Sequence, residues 1–75
     1  MNDYLRWLRA AYHYYWGDGT TILMPDREWD LMARSFFENR AKYPPDQYPV
    51  LHRKEFTGGS IFWLRPHDYP EDVKS

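Results

Sequence analysis

Seventy-five residues allow one small domain at most, and a chain of this length buries only about 60% of its extended-chain surface. The absence of cysteine excludes disulfides, thiolate catalysis and Cys-type zinc sites. Ten Lys and Arg against 11 Asp and Glu give a net charge of -1, so no global field draws the chain to phosphate backbones or anionic lipid.

Aromatic residues make up 20% of the chain, and large rings offset the short length because each removes roughly 150 to 250 Å² from water. Tyr and Trp, 11 together against four Phe, also carry a polar edge suited to a rim that meets ligand, partner or water. No apolar run approaches the ~20 residues of a membrane span, and Met1-Asn2-Asp3-Tyr4 lacks the basic and apolar regions of a signal peptide. A soluble protein of the reducing cytoplasm, without membrane partners, is the expectation.

In chain order, residues 2–16 contain no Pro or Gly and repeat Tyr4, Leu8, Ala11 and Tyr15 at spacings of four, three and four, which predicts a helix with one buried stripe. Asn2 or Asp3 is its N-cap, and Gly17-Asp18-Gly19 ends it with residues that tolerate left-handed backbone. A second helix starts at Pro25-Asp26, with Asp26 as N-cap or first-turn acid and Glu28 adding negative charge at the positive helix end. Trp29, Met32, Ala33, Phe36 and Phe37 carry its apolar period to about Lys42, where Tyr43-Pro44-Pro45 stops it. Arg34, Arg40 and Lys42 suit the C-terminal half of that dipole. Residues 43–49 form a stiff connector. Residues 50–56, the turn Thr57-Gly58-Gly59-Ser60, and residues 61–64 then read as a short β-hairpin that packs through Ile61, Phe62 or Trp63. From Pro66 the chain is Pro-punctuated and polar, expected to fray at its end. The expected fold is mainly α, a small α+β domain: a two-helix hairpin over 2–44 with a short C-terminal β-hairpin or extended arm in the Pro/Gly-rich 45–75, all within a single domain over 1–75.

The chemistry concentrates between Tyr12 and Asp30. Asp26, Trp29 and Asp30 fall on one face of the second helix, while Tyr12, His13, Tyr14 and Tyr15 lie at the end of the first. Aromatic faces attract a pyridinium cation by about 0.5 to 2 kcal/mol, and carboxylates accept from a carboxamide or ribose hydroxyls. His13 or a nearby Arg is placed to meet a phosphate. Taken singly, aromatics at helical spacing are core residues and an Asp at a helix start is a cap; the ordered combination points to a ligand.

That combination, Tyr-x-Tyr-Tyr followed by Pro-Asp-x-Glu-Trp-Asp, resembles domain Ia of NAD-dependent DNA ligases, which holds the nicotinamide mononucleotide (NMN) half of NAD. The resemblance covers residues 4–44, with Lys42-Tyr43-Pro44 similar to the family's ending of the second helix. It implies that Tyr12, Tyr14, Tyr15, Asp26, Trp29 and Asp30 contact NAD or NMN. Three features depart from the family: a loop of residues 17–24 about two residues longer, Trp29 in place of a phenol, and no S-P-T-x-x-V-G stretch after Pro44.

The family adenylates a lysine in K-x-D-G, whereas Lys42, Lys54 and Lys74 stand in no such context, so a non-catalytic protein is expected. Ser35, Ser60 and Ser75 lack a nucleophile elbow, and His13, His52 and His67 are too dispersed to suggest a metal site. Glu28 and Asp30 read as helix-dipole partners rather than a catalytic pair. The resemblance implies partners: an adenylation domain or ligase chain supplied in trans, or, for a scaffold without ligand, a ligase or other DNA replication or repair protein. Nucleic-acid binding through Arg53, Lys54, Phe62, Trp63 and Arg65 across the hairpin ranks lowest.

Overall fold

The computed structural model describes residues 3–17 and 23–74. It is mainly helical, with helices α1 (Asp3–Trp16), α2 (Asp26–Glu38) and α3 (Glu71–Lys74) and 3-10 turns at Arg40–Lys42, Pro49–His52 and Pro66–Asp68. Two compact units result, one from Met1–Pro25 with Phe62–Ser75, the other from Asp26–Ile61. Asn2, Asp18 and Gly19, expected at the ends of the first helix, lie outside the described residues.

In the first unit α1 buries Tyr4, Trp7, Leu8, Ala10 and Ala11, and Tyr15 is half-buried. The expected stripe is therefore present and widened by Trp7, whose ring stacks on Tyr4 at 6.5 Å. A large apolar side chain such as Leu8 contributes about 1.5 to 3 kcal/mol by leaving water. Gly17 ends the helix for a reason other than left-handed backbone, since positive φ occurs among the described residues only at Gly58. A Cβ on Gly17 would stand 2.6 Å from the His13 carbonyl oxygen, so close approach requires glycine there.

The Pro-punctuated segment from Pro66 is packed as far as Lys74, and Ser75, at the end expected to fray, lies outside the described residues. Pro66 opens a turn with φ already suited to it, and Asp68 Oδ2 accepts the Arg65 N–H at 3.1 Å. Tyr69 and Val73, 3% and 0% exposed, then carry this segment into the buried interior, and α3 packs on α1.

In the second unit α2 buries Ala33 and Phe36. It stops at Glu38, four residues before the expected end: the Ser35 carbonyl still accepts the Asn39 backbone N–H at 3.0 Å, together with its side-chain amide at 2.8 Å, and beyond it the bonds shorten to three residues, Lys42 N–H to Asn39 and Tyr43 N–H to Arg40. Arg40 donates to the Phe37 carbonyl at 2.8 Å while its guanidinium lies 4.3 Å from the Phe37 ring centre, which tightens the chain into the 3-10 turn. Tyr43 then meets Phe36 and Tyr48 edge-on at 5.4 and 4.9 Å, and His52 Nε2 donates to its carbonyl.

The expected β-hairpin over residues 50–64 does not form; this stretch, described throughout, holds turns. Pro49 initiates a 3-10 turn, and the Leu51, Arg53 and Phe56 N–H groups donate three residues back, to Tyr48, Val50 and Arg53. The physical reason is that Val50 and Leu51 are both buried, at 3% and 1% exposed, whereas neighbours on a strand face opposite sides. Gly58 takes φ +89°, and a Cβ there would stand 3.2 Å from the Cβ of Phe37, whose ring meets Phe56 edge-on at 5.7 Å. Of the residues expected to anchor the hairpin, Ile61 is fully buried, Trp63 half-buried and Phe62 66% exposed.

Candidate functional site

The aromatic half of the site sits on the last turns of α1. An unbroken helix offsets Tyr12, Tyr14 and Tyr15 by about 100° per residue, so they diverge around the axis. Tyr14 is 56% exposed and meets the half-buried Tyr15 edge-to-face at 5.0 Å, giving one accessible ring braced by another. Tyr12 turns elsewhere: it is half-buried and edge-on to Tyr69 at 5.2 Å and to His13 at 5.8 Å. The resemblance groups Tyr12 with Tyr14, while the structure gives Tyr12 a packing role against the C-terminal turn.

Tyr69 is a residue that sequence reasoning missed, because the segment was expected to be a polar tail. Its hydroxyl is buried without a hydrogen-bond partner, and burial pushes its phenol well above the ordinary value of 10.0, with Tyr15, Asp68 and Tyr12 adding in the same direction. A buried phenol without an acceptor is costly by about 1 to 3 kcal/mol. His13 Nε2 is likewise buried without a hydrogen-bond partner, so that nitrogen is not presented to solvent as a phosphate contact. The signal for Tyr69 in the sequence is its spacing from Val73, which places two apolar bodies one helical turn apart.

The acidic half sits on the first turn of α2. Asp26 and Asp30 are exposed and share a face with the half-buried Trp29 between them, as the spacing predicts. Asp26 is the first helical residue and, with Glu28, meets the positive end of the dipole. This face offers carboxylate acceptors beside an indole, chemistry suited to hydroxyl, amide N–H or cationic groups.

The aromatic and acidic halves belong to different compact units, and each presents its own chemistry. Among the described residues, no His, Cys, Asp or Glu group of three or more is arranged to hold a metal ion, and no helix is long and apolar enough to cross a membrane. The basic-aromatic surface ranked lowest depended on a hairpin; without paired strands, Arg53 forks onto Glu55 at 3.2 and 3.4 Å. Compared with protein-family models, curated proteins and solved structures, the chain matches none.

Proposed function

We infer that the protein is a non-catalytic binder of the nicotinamide mononucleotide half of NAD, resembling domain Ia of NAD-dependent DNA ligases and acting in trans with an adenylation domain. One observation carries the reading: the acids of the motif are held out to solvent on one face of α2, beside Trp29, rather than consumed in ion pairs of the core. A structural cap requires only one acid at the helix start, and Asp30 lies a full turn beyond it. In the first unit the exposed Tyr14 ring, braced by Tyr15, is a stacking surface in its own right.

Titration with NMN tests this. Tryptophan fluorescence or amide shifts near Tyr14, Trp29 and Asp30 respond to millimolar ligand, and Asp30→Ala abolishes the response. A wild-type chain silent to NMN, both alone and with a ligase adenylation domain added, overturns the reading.

A second reading rests on Phe62, 66% exposed on the surface of a small protein. Here the protein is an interaction module that keeps the scaffold without ligand and docks on a ligase or another DNA replication or repair protein. Co-purification of such a partner then survives Asp30→Ala and is lost with Phe62→Asp.

A further inference from the structure

Helix α2 carries two charges set against its own dipole. Arg27 stands in the first turn, at the positive end, and Glu38 is the last helical residue, at the negative end. Both are exposed, and neither is ion-paired to another described residue, so nothing within the helix offsets the unfavourable placement. They are 11 positions apart, about three turns or ~16 Å, which leaves them only about 20° apart around the axis. Leu31 lies between them on the same stripe and is 59% exposed, while Ala33 and Phe36, on the far side of the helix, are buried. An apolar residue flanked by a cation at one end and an anion at the other becomes its own complement when the helix is reversed.

We propose that α2 pairs antiparallel with α2 of a second copy of this chain, forming a twofold dimer through Arg27, Leu31 and Glu38. With the twofold axis midway between Arg27 and Glu38, Arg27 of each copy meets Glu38 of the other, and the two Leu31 side chains lie ~4.5 Å apart along the helix direction, within contact across the axis. Arg34, at the edge of the stripe, lays its apolar stem beside the leucines and keeps its guanidinium in water. Opposed dipoles then remove the conflict within each helix, because the negative end of the second helix lies beside Arg27 and its positive end beside Glu38. A parallel copy would bring like charges together. One helix face covers less than the ~800 Å² per partner of a standard interface, so the dimer is weak and forms at high protein concentration. The inference is independent of NMN binding, which uses other residues.

Sedimentation equilibrium of the full chain at low salt, from about 10 μM to about 1 mM, tests it. The mean mass is expected to rise toward that of a dimer, and added salt to reverse the rise. Glu38→Arg makes both symmetry-related pairs repulsive and weakens association about tenfold, as does Arg27→Glu. Mixing these two variants restores wild-type association, since each supplies the charge that the other lacks at both pairs. The substituted side chains are exposed, so the variants fold, and circular dichroism verifies it. A chain that stays monomeric at ~1 mM overturns the proposal and leaves the stripe to a different protein or to solvent. So does a dimer that Leu31→Asp leaves unchanged, or a pair of charge variants that do not recover association when mixed.

Discussion

Replacing Tyr69 by Phe removes one oxygen and leaves the packing in place. The ring keeps its edge-on contact with Tyr12 at 5.2 Å, while the deleted hydroxyl is buried and donates to nothing. Ordinary buried Tyr→Phe changes lose a hydrogen bond; this one removes a desolvated donor, so stability at neutral pH is expected to rise by about 1 kcal/mol. For a domain of this size that corresponds to a Tm increase of about 4 to 8 °C. The pH dependence supplies a second sign. Because the folded phenol is held above the unfolded value of 10.0, the native state keeps its proton where the unfolded state has lost it. The contribution of Tyr69 is fully present below that value and is lost as pH rises beyond it, at up to about 1.4 kcal/mol per pH unit. Phe carries no proton to lose, so the advantage of the variant grows above pH ~10 and is flat below it. Urea unfolding followed by tryptophan fluorescence at neutral pH and on either side of pH ~10 measures both effects. A variant destabilised by 1 kcal/mol or more at neutral pH would refute the reasoning, because it would mean that the hydroxyl has a partner whose bond was cut.

Two further substitutions probe the second unit. Gly58→Ala puts a side chain where φ is +89° and its Cβ would stand 3.2 Å from Phe37 Cβ, so a loss of about 1 to 2 kcal/mol is expected in thermal unfolding, against little change for Gly59→Ala, which meets nothing within 4 Å. Leu51→Ala empties a fully buried position in the 3-10 turn and is expected to cost about 2 to 5 kcal/mol by urea unfolding, a value that a β-strand tip exposed to solvent would not show.

What was legible in the sequence depended on whether local period and tertiary burial agreed. For α1 and for α2 up to Glu38 they do: Tyr4, Leu8 and Ala11, and Ala33 with Phe36, are buried at the spacing that announces them. The end of α2 was obscured because Asn39 and Arg40 act through side-chain bonds to Ser35 and Phe37, which no apolar period records. Residues 50–64 misled for a different reason. Their β-branched and aromatic content around Gly58-Gly59 matches a hairpin by composition, but burial of the consecutive Val50 and Leu51 demands a turn that presents both to one side. The C-terminal prolines read as punctuation of a tail, yet Pro66 begins a turn and the Pro70 carbonyl accepts the Val73 N–H at 3.1 Å, so both rigidify a packed segment. For the candidate site, the exposed face of Asp26 and Asp30 followed directly from spacing, while the partner of Tyr12 could not, because Tyr69 lies 57 positions away and was assigned to no element.

The same logic explains why α1 carries more than one kind of surface. A 14-residue helix spans close to four turns, enough for a buried stripe, an opposing stripe and a flank between them. Apolar period identifies the first alone, since it scores Arg6, Arg9 and His13 as solvated positions and counts Trp16 as one more ring. The Leu64 carbonyl distinguishes Trp16 from a core tryptophan: it satisfies the indole N–H at the edge of the fold and leaves over a third of the residue open to solvent. The Arg65 guanidinium 5.8 Å from the ring centre holds the same indole, so its rotamer is selected by both contacts. Tyr12 occupies the flank, where its contact with Tyr69 ties the C-terminal turn to the helix. The packing of Tyr69 on Tyr12 and the exposure of Phe62 therefore belong to different roles, so Tyr69→Phe moves Tm while Phe62→Asp moves partner binding.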